Sequence, residues 1–188
     1  MKSLRLTLFF VILSSTVSAQ NWSPPIPVTS GAGDDHHVAL GNTGDNSPLF
    51  LTWDRTTDGR KDVYVRTIDL QTGLLGEEIR LTNDTLTGEK PAIVPEEIHG
   101  GIFFESSGSG RSALYYSEYR GGLFSTPWLA LFSDANLHDP QYGGIVGDVP
   151  ATSVVFRSDS SIFTQVYAYP EGVLQDSAFY FADTGHYS

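Results

Sequence analysis

Apolar and polar positions along this chain alternate in short runs, each closed off by a cluster of Gly, Asp, Asn or Ser, the pattern of β-strands joined by turns. The first four runs are His37 to Gly41, Pro48 to Asp54, Asp62 to Asp69 and Glu77 to Thr82. The next four are Pro91 to Pro95, Gly101 to Glu105, Ala113 to Tyr119 and Pro127 to Ser133. The last four are Gln141 to Gly147, Thr152 to Arg157, Gln165 to Tyr169 and Ser177 to Ala182. Phe, Tyr, Val, Ile and Leu dominate them, side chains that fit a pleated, partly buried surface. Nothing beyond residue 19 keeps helical spacing. Asp58-Gly59, Gln71-Thr72-Gly73, Ser109-Gly110 and Gly121-Gly122 stand where hairpins must reverse. The expected fold class is all-β.

The runs repeat as a group of four, three times over, with a period of roughly 51 residues. Trp53-Asp54 aligns with Phe104-Glu105 and with Phe156-Arg157. Eleven positions after each aromatic comes a tyrosine, Tyr64, Tyr115 or Tyr167, and the units close on Leu81-Thr82, Phe132-Ser133 and Phe181-Ala182. Four antiparallel strands at such a period describe a propeller blade. The expected architecture is therefore a partial β-propeller in one domain, residues 20–188, with blades at about 30–82, 83–133 and 134–182. Ile26-Pro27-Val28-Thr29 resembles the closing runs, which makes residues 22–29 an orphan outer strand of a closing blade. Propellers have about 4 to 8 blades. Three would leave sheet faces and edges uncovered, so remaining blades of a longer protein, or alternatively another chain, are expected to close the ring.

The N-terminus changes the setting. Lys2 and Arg5 precede the apolar stretch Leu6 to Leu13, and Val17-Ser18-Ala19 offers small residues for cleavage before Gln20. Residues 1–19 read as a signal peptide, too short in their apolar part for the ~20 residues a membrane helix needs. A secreted, periplasmic or cell-surface location is expected, with no membrane span after the signal is removed. The chain has no cysteine, which excludes a disulfide framework, a thiol nucleophile and a thiolate metal site. Without Lys2 and Arg5, nine cations face 22 acids, a net charge near −13. Such a surface repels phosphate backbones and argues against nucleic acid as partner.

The stretches Leu51-Thr52-Trp53-Asp54, Asp58-Gly59-Arg60-Lys61-Asp62-Val63-Tyr64-Val65, Ile79-Arg80-Leu81-Thr82-Asn83 and Pro91-Ala92-Ile93 resemble the TolB-like propeller repeat. That family has an aromatic strand, an acidic-apolar-tyrosine strand, an Arg-Leu-Thr strand and a proline opening the next blade. The resemblance is good in the first unit and looser in the other two. It implies architecture rather than activity, because propellers host binding modules, scaffolds and hydrolases alike. A weaker resemblance to the sialidase-like propellers implies a glycoside hydrolase, although the Asp-box of that family is not met here.

Candidate chemistry lies at the start of each unit. His36 and His37, His138 and His186 fall just before first strands, with Asp34, Asp35, Glu89 and Asp139 beside them. In a propeller the loops leading into innermost strands share one face, so the repeat would bring these eight residues to a channel mouth. Imidazole and carboxylate together can hold a divalent cation or a polar ligand, and neutral imidazole suits a general base. No dedicated cofactor or built metal site is expected. The repeated Trp53, Phe104 and Phe156 and their tyrosines are expected in the core between blades. Asp54, Glu105 and Asp159 invite a paired-carboxylate glycosidase reading, and the equivalent places of Asp54 and Glu105 at strand ends make rim placement an equal alternative. The function expected is a ligand- or protein-binding module, its ligand a protein, glycan or small molecule. The alternatives are a propeller-type glycoside hydrolase with catalytic residues partly outside this chain, or a structural part of a larger surface protein.

Overall fold

The computed structural model describes residues 24–42, 48–94, 100–108, 111–131, 137–145, 151–157, 162–168 and 177–181, and the molecule is all-β over that extent. The first sheet runs β1 (Asp34–Asn42), β2 (Leu49–Thr57), β3 (Arg60–Ile68) and β4 (Ile79–Arg80), each paired antiparallel with the next. The second runs β5 (Glu89–Val94), β6 (Gly101–Gly108) and β7 (Arg111–Arg120), with β8 (Leu123–Phe124) and β9 (Trp128–Leu131) both along the outer side of β7. The third runs β10 (His138–Ile145), β11 (Ala151–Arg157), β12 (Ile162–Ala168) and β13 (Ser177–Phe181).

Every run of the sequence pattern within the described residues meets a strand, and in the first two sheets a short pairing that no run included precedes the outer strand. Leu75 bridges Ile68 before β4 begins, as β8 pairs with Tyr119 and Arg120 before β9 begins. The inner hairpin of the first sheet reverses at Asp58-Gly59, with φ of 52° and 79°. Positive φ at both central residues gives a turn whose twist matches that of the strands. Ser109-Gly110 lies outside the described residues. The third unit needs a correction. Trp53 faces Tyr64 and Phe104 faces Tyr115, but Phe156 faces Phe163, while Tyr167 lies opposite Thr152. Residue counting put Tyr167 there; the third hairpin returns sooner, with Arg157 opposite Ile162 where Asp54 stands opposite Val63 and Glu105 opposite Leu114, and this moves the register.

The core lies between sheets. Phe50, Val63, Val65 and Leu81 of the first pack on Ile93, Ile102 and Phe104 of the second. Val94, Phe103, Leu114 and Tyr116 of the second pack with Leu137 and Phe156 at the third. Trp53 stacks on Tyr64 and Phe104 on Tyr115, both with ring centres 5.9 Å apart. Trp53, Phe104 and Phe156 are buried, as core residues should be, while Tyr64 and Tyr115 are half-buried. Gly88 crosses tightly over this layer: a Cβ there would come within 2.6 Å of the Phe104 ring. Gly88→Ala should therefore cost about 1–3 kcal/mol by overpacking, read from urea unfolding midpoints.

First strands are neighbours. β5 lies against β1 and β2, and β10 against β5 and β6. Residues 24–30 form no strand, which corrects the expected outer strand over its described part, and two contacts tie the segment to the first sheet. The Val28 carbonyl accepts a bond from the Arg66 guanidinium, and Thr29 lies beside Asp35. Residues 1–23, which include the expected signal peptide, lie outside the described residues.

Candidate functional site

One irregularity, repeated in all three sheets, positions the polar residues at the heads of the first strands. Pairing slips between His36 and Ala39 in β1, between Glu89 and Ala92 in β5, and between His138 and Gln141 in β10. Each slip is a β-bulge, and a bulge re-aims side chains. At each sits a non-glycine residue in the left-handed region: His37 at φ 47°, Lys90 at 52° and Asp139 at 50°. Such a conformation costs on the order of 1 kcal/mol or more and persists where surrounding contacts hold it. Pro91 and Pro140 follow two of them, at places where a missing N–H removes no ladder bond.

The holding contacts have a common plan. Each bulge residue pairs with the charged residue near the end of the second strand in its own sheet. His37 Nδ1 donates to Asp54 Oδ1 at 2.7 Å, Lys90 Nζ to Glu105 Oε2 at 3.1 Å, and the Arg157 guanidinium to Asp139. Each sheet then reaches back to the one before. The Lys90 backbone N–H donates to Asp54 Oδ1 at 3.1 Å, and that of Asp139 to Glu105 Oε2 at 3.4 Å. His138 Nδ1 donates to Glu105 Oε1 at 2.8 Å, and Lys90 Nζ lies 2.8 Å from Asp139 Oδ1. One hydrogen-bonded network thus runs from His37 to Arg157 through all three sheets.

Its centre is dry. Asp54 and Glu105 are 0% and 2% exposed, so neither stands at a rim. Burial pushes the Glu105 carboxyl up, but hydrogen bonds from His138 and Lys90 outweigh it and hold its pKa below the ordinary 4.5. The bond from Lys90, opposed by burial and joined by Arg157, keeps Asp139 below the ordinary 3.8. Burial lowers Lys90, and its bonds to Asp139 and Glu105 raise it further than that, above 10.5. Depressed carboxyls stabilise the fold above their unfolded pKa and cease to do so as pH falls through the folded one. The raised lysine stabilises below its unfolded pKa and is lost as pH rises through the folded one. Thermal unfolding should thus be nearly flat over the neutral range and fall on acidification below about pH 4.5. The acid slope should be shallower in Glu105→Gln, which a series of melting curves against pH will show.

Of the eight residues expected at a channel mouth, the structure brings some together and separates others. His37 and Asp139 line a groove of about 540 Å³ with Lys90, Val38, Leu40 and Gln141. His138 reaches the network through Glu105. Glu89 turns instead to an ion pair with Lys61. Asp35 pairs with Arg55 at 2.7 Å, and Arg55 also holds Glu78 at 2.6 Å while lying over the Tyr64 ring. Asp34 and His36 are exposed. His186 and Asp159 lie outside the described residues. The positions are also corrected from loops to strands, because the bulges let pairing continue past them. Among the described residues no three of His, Asp and Glu gather as a metal would require.

Sequence reasoning missed Lys90 and Arg157 as members, and of its two readings of Asp54 and Glu105 the rim placement does not hold. The signal was present: Asp54, Glu105 and Arg157 hold one place in the repeat, and so do His37, Lys90 and Asp139. Compared with models of protein families, with curated proteins and with solved structures, the chain matches none.

Proposed function

We propose that the three sheets are successive blades of an exported β-propeller of TolB-like type, and that this chain is a binding module whose ligand face is the groove along β1, β5 and β10. The observation that carries this reading is the groove itself. About 540 Å³ of space is lined by the first strand of every sheet, with apolar Val38, Leu40 and Pro91 beside polar Asn42, Lys90 and Gln141. That volume and mixture suit a small ligand or a short piece of a larger one. Radial neighbours of this kind are what innermost propeller strands would be. The leader-like N-terminus supports export.

Hydrolysis draws less support. A glycosidase pair needs one carboxyl kept protonated, whereas Glu105 is held ionised and Asp54 is closed off from solvent. The network is better suited to fixing the bulges that shape the groove. The test is a thermal-shift screen of oligosaccharides and short peptides against the purified chain. A ligand of this site should raise the melting temperature. Asn42→Ala and Gln141→Ala should abolish that rise, while Leu123→Ser, exposed in β8 and not among the groove's lining, should keep it. A ligand indifferent to Asn42 and Gln141 would overturn the assignment.

A further inference from the structure

Bare backbone borders the groove as well as side chains. β1, β5 and β10 are each paired on one side only, and among the described residues no backbone hydrogen bond crosses from one of them to another. Val38, Ala39, Leu40, Gly41 and Asn42 all line the groove. Successive residues of a strand point to opposite faces, so a lining that includes every one of them is the strand's edge and not a face. Which groups point outward there follows from one bond further out. The Leu81 N–H donates to the Val63 carbonyl, so Val63 turns its peptide groups away from β2, and Tyr64 beside it turns its own toward β2. Tyr64 thus exchanges bonds with its partner Trp53, which leaves Thr52 and Phe50 to bond Ala39 and Gly41 of β1. The N–H and C=O of Leu40 and the N–H of Asn42 then point away from β2, along the open edge.

An open edge is a template for another strand, and folded proteins ordinarily blunt it with proline or charge. Two of the three first strands are blunted in this way. The residue after the left-handed one is Pro91 in β5 and Pro140 in β10, but Val38 in β1. From Val38 to Asn42, β1 carries neither proline nor charge. Nor does this edge depend on what packs beyond the first sheet. β5 has β1 and β2 on one side and β10 on the other, yet Pro91, Ala92 and Ile93 still line the groove. Sheets packed face to face leave the edges of their first strands open.

We infer that the groove's ligand is an extended peptide segment, which adds to β1 as one more strand of the first sheet and pairs with Leu40 and Asn42. The inference rests on the groove reading and narrows it. Val38 to Asn42 spans about 13 Å at ~3.3 Å per residue, which matches about five residues of ligand. The segment is uncharged, with apolar side chains at alternate positions. His37, Lys90 and Asp139 are already paired within the network, whereas Val38 and Leu40 are open to contact. A net charge of −11 turns acidic segments away. A glycan fits less well. Sugars lay their C–H faces on aromatic rings, and the described lining offers only the His37 imidazole.

The probe is a set of capped peptides of about six residues, serine alternating with varied apolar residues, titrated into the purified chain. For the tightest member, Leu40→Pro should weaken binding about tenfold or more, the loss of one main-chain bond. Leu40→Ala keeps that N–H and should cost less. Proline is tolerated where an edge N–H faces solvent, so the melting temperature of Leu40→Pro should hold. Methylating the peptide's own nitrogens one at a time needs no variant, and the loss of affinity should recur at every second position. Amide exchange should slow at Leu40 and Asn42 on binding and stay as it was at Ala39 and Gly41, which β2 already holds. Binding by no member of the set, or methylation losses without the two-residue period, overturns the inference. An oligosaccharide that needs Asn42 and Gln141 while no peptide binds overturns it too, and leaves the groove reading standing. Self-association that Leu40→Pro abolishes would put a second copy on the edge and rule out the peptide as its occupant. A peptide that shows the period and protects Leu40 yet ignores Gln141 would keep the added strand and refute the groove reading.

Discussion

Glu105→Ala should lower the stability of the chain by about 3–5 kcal/mol, the cost of leaving buried charge without its partner. Glu105 is 2% exposed and accepts bonds from His138, Lys90, Ser112 and the Asp139 backbone. Its removal leaves the Lys90 ammonium without one of its two anions and the Ser112 hydroxyl without an acceptor. The melting temperature should fall on the order of 10 °C for a chain of this size. Glu105→Gln keeps the shape and loses the charge, so its effect should be smaller but clear. A double-mutant cycle with Lys90→Met should show a coupling well above the ~0.5 kcal/mol at which distant sites add independently. An effect of Glu105→Ala below about 1 kcal/mol, typical of a surface pair, would mean that the carboxylate is hydrated.

Phe104→Ala should cost as much by another route. The ring is fully buried, stacked on Tyr115 and packed beneath Gly88 among residues of two sheets. Truncating such an aromatic removes transfer free energy and leaves a cavity, about 3–5 kcal/mol together. Gly88→Ala combined with Phe104→Leu should partly repair both changes, because the added methyl and the vacated ring edge occupy the same space. Equilibrium urea unfolding measures this directly. Independent additive losses would show that the glycine and the ring do not meet.

The repeat made much of the fold legible, and its failures are local. Strand existence and order followed from the spacing of apolar runs, and the burial of Trp53, Phe104 and Phe156 from their equivalent places. The heads of the first strands were misread as loops. Asp34 to His37, Glu89-Lys90 and His138-Asp139 are polar, and two of the segments run into proline, which ordinarily ends a strand; the bulges carry the pairing through them. The short pairings at Leu75 and β8 fell outside the expected outer runs, because Gly76 to Glu78 and Ser125 to Pro127 set them apart from β4 and β9. The register of the third hairpin was hidden because spacing counts residues without regard to the length of the turn between them. The candidate site was half visible. Histidine and acid at unit heads pointed to the right region, but the anchors Asp54 and Glu105 are buried one strand away, and only the fold shows that Lys90 joins them to Asp139.

A disulfide between β1 and β5 offers the plainest trial of the whole picture, in which separate antiparallel sheets meet along their first strands. Gly41→Cys with Ile93→Cys, in a chain otherwise free of thiols, would place two Cβ atoms 3.5 Å apart, within the span that a disulfide bridges. Mild oxidation should close this bond within one chain and leave no thiol open to alkylation. Two thiols that stay reactive in the folded chain, or link only different chains, would show that the first strands do not share a groove.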